Sequence, residues 1–181
     1  MTQVYKGYID NITYHNRENG FTIARLVVDG EKKKITIVGS IASLEEGEYI
    51  EVDGGWKEHL KYGRQFQITE YRIIYPTSLK GMEKYLGSGL IRGIGPVSAK
   101  RIVDHFGKDT LDVIDENPKR LIEVPKLGRK RVDIIEKSWG EQKQVKDVMV
   151  FLQSHGITTG WAVKIFKEYG SKSIDIVKRN P

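Results

Sequence analysis

The sequence predicts a multi-domain α+β protein in which an all-β part precedes an all-α part. Short β-branched and aromatic runs alternate with turn signals up to residue 75, whereas apolar residues after Pro76 recur at three- and four-residue spacing. The charge divides at the same place. Residues 1–75 hold 10 Lys/Arg and 11 Asp/Glu, while residues 76–181 hold 20 and 13. The helical part therefore carries all of the excess positive charge, which favours a polyanionic partner.

Five strands are expected in the first part, at residues 4–14, 21–28, 34–39, 49–56 and 64–75. The first hairpin turn ends in Asn19-Gly20, a strong hairpin signal, and Asp29-Gly30 turns the chain again. Five short strands at this spacing predict a small barrel of the five-stranded OB type over residues 1–76.

Helices are expected from residue 77 onward. Pro76-Thr77-Ser78 ends the β pattern and offers Thr77 or Ser78 as a helix N-cap. Glycines, among them Gly128 and Gly140, are expected to divide this part of the chain into short helices of two to three turns. We expect an all-α array of helical hairpins at residues 77–142, followed by the start of a further hairpin unit at 143–181.

The chain twice places a tight, Gly-containing turn before a basic helix, at residues 90–102 and 121–134. At such a turn, backbone N–H groups point outward at the positive end of a helix, where a phosphate oxygen fits. Lys126 stands where the first copy has Gly93, and its ammonium can itself reach a phosphate. This pattern resembles the helix-hairpin-helix, a sequence-independent grip on the DNA backbone. The predicted DNA-contacting residues are Gly93, Ile94, Gly95, Ser98, Lys100, Arg101, Lys126, Gly128, Arg129, Lys130 and Arg131.

A third, degenerate hairpin comes later in the chain at a constant offset of 63 residues, which aligns Gly93-Ile94 with Gly156-Ile157. Thr158 replaces the second glycine of the turn, and Trp161 and Tyr169 are expected to be packing residues. The offset also aligns Asn117-Pro118 with Asn180-Pro181. Since the first copy continues into another helix at that point, we expect the sequence to be truncated at Pro181.

Aromatic residues in the β part leave two interpretations open. Beside Arg25, Lys61 and Arg64 they offer base-stacking surfaces for a single strand, but most aromatics at strand spacing belong to a core, and this half is slightly acidic. The core interpretation is preferred. The candidates are Tyr8, Tyr14, Phe21, Trp56, Tyr62 and Phe66.

Composition argues against several other classes of protein. The chain has no cysteine, its four histidines lack metal-ligand spacing, and no apolar run is long enough for a membrane span. We therefore expect no metal, no membrane association and a cytoplasmic location. The sole Gly-Lys pair, Gly107-Lys108, precedes Asp109 rather than Ser or Thr, so it does not make a phosphate loop. No catalytic residue is expected.

Three stretches resemble the N-terminal region of bacterial RecD-like helicases of the RecD/TraA family, at residues 37–41, 62–66 and 85–95. The resemblance implies an OB-like domain, tandem helix-hairpin-helix units and a helicase motor further along the chain. That motor would unwind DNA 5′→3′ with ATP and magnesium, in repair and recombination. Such proteins often borrow the name exodeoxyribonuclease V alpha chain. The implied partners are DNA and the motor domain in cis.

Two alternatives stay open. An OB barrel followed by two helix-hairpin-helix units is also the architecture of RuvA-like Holliday-junction binding proteins, although the β part here lacks an obvious acidic pin. The other alternative is a protein-docking module that makes no DNA contact.

Overall fold

The N-terminal part is a closed five-stranded barrel. The computed structural model describes residues 2–41, 44–157 and 159–179. The strands are β1 (Gln3–His15), β2 (Phe21–Val28), β3 (Lys34–Ser40), β4 (Tyr49–His59) and β5 (Gly63–Ile73). Their order around the barrel is β1-β2-β3-β5-β4, with β3 parallel to β5 and the other neighbours antiparallel. The predicted OB-type barrel is confirmed.

Alternating apolar residues of all five strands fill the barrel, and Phe66 at its centre is fully buried. The expectation that the strand aromatics belong to the core is therefore right for Phe66. It is wrong for Tyr14, Phe21 and Tyr62, which are 50%, 38% and 63% exposed. All three lie at strand ends or turns, where the inside–outside alternation that buries a strand residue no longer applies.

Six α-helices come after the barrel in the described residues: α1 (Leu79–Gly87), α2 (Pro96–Phe106), α3 (Thr110–Glu116), α4 (Arg129–Ser154), α5 (Thr159–Tyr169) and α6 (Ser173–Arg179). Short 3₁₀ helices lie at Gly107–Asp109, Pro118–Glu123 and Gly170–Lys172. The predicted cap is confirmed, because the Ser78 hydroxyl accepts the N–H of Gly81 at 3.0 Å. Among the described residues, no helix is both long and apolar enough to cross a bilayer.

Helix α4 runs without a break for 26 residues, so the predicted helix end at Gly140 is wrong. Asp115 of α3 binds side chains on both sides of that glycine. It accepts the Trp139 indole N–H at 3.0 Å and the Lys143 ammonium at 2.9 Å. These contacts stabilise the helix where glycine alone weakens it. The expected division at residues 142 and 143 thus falls inside a continuous helix.

A buried polar cluster joins the barrel to the helices. The Lys146 ammonium, on α4, donates to the Tyr85 hydroxyl of α1 at 2.6 Å and lies 4.4 Å from the ring centre of Tyr75. Glu48, just before β4, is 4% exposed and accepts the Glu45 N–H at 3.0 Å. Burial raises the pKa of Glu48 to about 7 and lowers the pKa of Lys146. We call this cluster the joint.

Candidate nucleic-acid interface

The first hairpin consists of α1, a tight turn and α2. Gly93 in the turn has a left-handed φ of 89°. Ile94 comes next with 4% of its surface exposed, and its N–H donates to the Ile91 carbonyl at 3.3 Å. Gly95 then caps α2 in an extended conformation, and its carbonyl accepts the Ala99 N–H at 2.9 Å. The buried isoleucine fixes the turn from inside and leaves the start of α2 at the surface.

The second hairpin, formed by the 3₁₀ helix at Pro118–Glu123 and the first half of α4, repeats this geometry 33 residues later. Lys126 has a φ of 67°, in the left-handed region. Leu127 is 5% exposed and donates its N–H to the Val124 carbonyl at 3.2 Å, while the Gly128 carbonyl accepts from the first turn of α4. A side-chain-bearing residue strains by about 1–2 kcal/mol in this conformation. Lys126 is therefore a strained residue at a glycine position.

The two hairpins pack against each other through the turn of the first. A Cβ on Gly93 would lie 3.0 Å from Ile135 Cγ1 and 3.3 Å from Ile134 Cγ2, so these α4 side chains pack closer to the turn than a residue with a side chain readily allows. The neighbouring Arg92 N–H donates to the Ser138 hydroxyl at 2.9 Å.

Arg131 completes the contact between the hairpins. Its guanidinium donates to the Ser98 hydroxyl at 2.9 Å and to the Gly93 carbonyl at 3.3 Å. Ser98 and Arg131 each stand at the third position of their helix, α2 and α4. Their bond therefore brings the amino-terminal ends of the two helices side by side.

These adjacent ends form a site suited to an anion. The first N–H groups of an α-helix have no acceptor within the helix, and the helix dipole places partial positive charge there. In α2 the first residue is Pro96, which has no N–H. In α4 the first two residues are Arg129 and Lys130, which contribute both amides and cations. A Cβ on Gly95 or on Gly128 would meet no atom within 4 Å, so both caps face open space.

Basic side chains surround the two helix ends. The exposed ones are Lys100, Lys126, Arg129 and Lys130, and Arg101 is half-buried. The Lys100 ammonium lies 3.4 Å from the Asp104 carboxylate, with both side chains 64% exposed, and such surface pairs are weak. Both hairpins thus contribute exposed cations next to their helix ends.

Two predicted site residues have side chains turned into the protein. Ile94 is part of the helical core, and Ser98 is 6% exposed with its hydroxyl bound to Arg131. Sequence reasoning missed Arg92, which is exposed directly beside the first turn. The available signal was a basic residue immediately before the first glycine.

The third hairpin has the left-handed backbone of the other two turns, but its turn hydrogen bond reaches back five residues instead of three. Gly156 has a left-handed φ of 74°, and the Ile157 N–H donates to the Leu152 carbonyl at 3.2 Å. The expectation that Trp161 and Tyr169 pack inside is wrong, since they are 62% and 45% exposed among the described residues. Both residues lie on the solvent-exposed face of α5. The predicted Thr158, Asn180 and Pro181 features lie outside the described residues.

Comparisons with known proteins match the chain in three consecutive segments. Residues 1–76 match the model of the ATP-dependent DNA helicase YrrC OB-fold domain. Residues 88–137 match the SAM-like helix-hairpin-helix tandem, and residues 141–181 match the ATP-dependent RecD2 DNA helicase HHH domain. The ATP-dependent RecD2 DNA helicase of Deinococcus radiodurans is 23% identical over an alignment of 180 residues, and the match covers 96% of this chain and 25% of that protein. The chain therefore spans about a quarter of that relative's length.

A small barrel followed by serial helix-hairpin-helix units defines a class of domain arrangement typical of DNA-binding regions. Within that class, two of the three matched domain models are named for RecD2-type or YrrC helicases, and the match to the relative runs along nearly the whole chain. Together the matches support an N-terminal region of a RecD-like helicase.

Proposed function

We propose that this region binds DNA by holding backbone phosphates, without sequence specificity, at the adjacent amino-terminal ends of α2 and α4. The observation that supports the proposal is the 2.9 Å hydrogen bond from the Arg131 guanidinium to the Ser98 hydroxyl, which links the first turns of α2 and α4. Around them stand exposed cations of both hairpins. Amides and ammonium groups bind phosphate oxygens, which are the same at every base pair, so no sequence is read.

The proposal extends to the whole protein. The region would position DNA for an ATP-driven motor in cis that translocates 5′→3′, and both would act in the cytoplasm. ATP and magnesium belong to that motor and not to these residues. Gly107 and Lys108, the only Gly-Lys pair in the sequence, lie with Asp109 in a single 3₁₀ turn, and Asp109 stands where a phosphate loop has Ser or Thr.

The salt dependence of binding tests the phosphate contacts. Replacing Arg129 and Lys130 by Ala should weaken binding to duplexes of unrelated sequence alike. The slope of log K against log salt should flatten by about 0.9 for each phosphate that the variant no longer holds. The matched control is the double variant of Lys80 and Lys108, two exposed lysines away from the helix ends, which removes the same charge. Its slope should stay close to that of the parent chain.

A panel of DNA shapes separates the alternative functions. A tailed duplex bound more tightly than a four-way junction supports the helicase region, whereas preference for the junction supports a RuvA-like binder. If the chain binds no DNA even at low salt, the proposal is wrong and the protein-docking function replaces it.

A further inference from the structure

Two turns of the barrel lie at the same end. Strands β3 and β5 run parallel, with Ile37 paired to Phe66, and parallel neighbours begin at the same edge. The β2–β3 turn and the β4–β5 turn therefore project from one end of the barrel. We call residues 29–34 and 57–64 the basic end.

The β4–β5 hairpin extends beyond the start of β1. Strand β1 pairs with β4 only as far as Gly54, and β3 pairs with β5 at Phe66 and the residue after it. Within the described part of the chain, the ladder from Lys57 to His59 pairs with β5 alone. The hairpin tip is consequently open to solvent on both sides.

An ordered aromatic residue stands at this tip. Tyr62 is 63% exposed, and its ring centre lies 4.9 Å from that of His59. The His59 Nδ1 accepts the N–H groups of Lys61 and Tyr62 at 3.2 and 3.3 Å, which fixes the turn. The Lys61 ammonium lies 5.2 Å from the Tyr62 ring centre. Exposed Leu60 completes an apolar and cationic tip.

Charge is segregated toward the same end. The basic end holds six Lys/Arg and three Asp/Glu, whereas the rest of residues 1–75 holds four and eight. Lys34 is paired with Asp10 at 2.8 Å, and Lys32 and Lys33 are exposed beside it. A slightly acidic barrel thus carries an excess of cations in the residues of its basic end.

We propose that the basic end binds single-stranded DNA, with a base stacked on Tyr62 and with Lys32, Lys33 and Lys61 facing phosphates. An exposed ring flanked by cations suits a nucleotide, because every base has a flat face and every phosphate a negative charge. The bases of a duplex are already stacked on one another, so the site selects unpaired strands. It is separate from the helix ends of the proposed function and does not depend on them.

Fluorescence anisotropy with a labelled oligothymidine of about 15 nucleotides, and with a duplex of the same length, tests this site. Tyr62→Ala should lower single-strand affinity about five-fold or more and leave duplex affinity unchanged. Tyr62→Phe keeps the ring and should bind like the parent chain. The control is Tyr14→Ala. Tyr14 lies near the end of β1, pairs with Ile23 at the other end of the barrel and is 50% exposed, so its replacement should have no effect.

Unchanged single-strand affinity in Tyr62→Ala overturns the proposal, and the surface is then one for docking protein. An equal loss for single strand and duplex also overturns it, because stacking on an unpaired base is then not involved. Repeating the measurement with Arg129 and Lys130 replaced by Ala separates the two sites. The Tyr62→Ala effect should persist there whether or not the helix ends bind duplex DNA.

Discussion

The first and second hairpins share one backbone geometry but reach it with different residues. Gly93 and Lys126 occupy the same turn position, with φ values of 89° and 67°. At Gly93 the packed isoleucine side chains of α4 crowd the position of a Cβ, whereas the Lys126 side chain is exposed. The first turn is therefore constrained by packing. The second accepts backbone strain and gains a cation at the surface.

The first residues of the two basic helices also differ in what they offer to an anion. Pro96 begins α2 and removes one N–H, whereas Arg129 begins α4 and keeps it. At the third position of each helix, the buried Ser98 hydroxyl accepts the hydrogen bond that the Arg131 guanidinium donates. In our proposal the first hairpin mainly supports the pair structurally, and the second makes the stronger phosphate contacts.

The largest expected effect tests the packing side of this comparison. Gly93→Ser should destabilise the fold by about 3 kcal/mol, because it adds left-handed strain to a clash with Ile135. The matched change Gly95→Ser meets open space and places a favoured residue at an N-cap, so stability should change by less than about 0.5 kcal/mol. Chemical denaturation of both variants measures the difference, and equal losses would contradict the assignment.

Replacing Glu48 in the joint should change how the stability of the fold depends on pH. Burial disfavours the charged form of Glu48 and raises its pKa from an ordinary value of 4.5 to about 7 in the folded protein. The buried carboxyl therefore stays mostly protonated below pH 7. Folding is therefore weakened as pH rises from about 5 to 7, by on the order of 2 kcal/mol. Glu48→Gln should remove that part of the pH dependence. His15, with a lowered pKa, acts in the opposite direction, so the difference between variant and parent is the quantity to measure.

Lys126→Gly tests the strained side of the comparison. It should stabilise the fold by about 1 kcal/mol through relief of left-handed strain and still weaken DNA binding a few-fold. Lys126→Arg keeps both the strain and the charge and serves as the control. If Lys126→Gly binds duplex DNA as tightly as the parent chain, the cation has no contact and the strain has another cause.

The smallest expected effect concerns the helix that the second and third hairpins share. A Cβ on Gly140 meets no atom within 4 Å, so Gly140→Ala should raise stability by about 0.5–1 kcal/mol. Thermal unfolding should show a higher midpoint with unchanged DNA affinity. A lower midpoint would mean that the helix requires a glycine there.

Local patterns predict much of this molecule. The five strands, the Ser78 cap and the tight turns all arise from short-range signals. The structure also shows long-range contacts that no such signal contains. The Arg131–Ser98 bond spans 33 residues, and Asp115 holds α4 together across Gly140.

Other differences arise where a local preference is overridden. Left-handed backbone at Lys126 contradicts the preference of lysine, and packing of Leu127 and the neighbouring turn imposes it. At the tip of the barrel, Tyr62 has the residue type of a core strand but lies in a turn. Residue type alone therefore predicts the wrong environment.

Helix α4 serves both as the second helix of the second hairpin and as the first helix of the third. Each residue of an α-helix turns the chain by about 100° and advances it about 1.5 Å. A single-residue insertion between Trp139 and Leu152 would therefore swing the third hairpin about a quarter of a revolution around the axis. The direction of the third hairpin relative to the second is therefore set by the number of residues in α4, which is about 39 Å long.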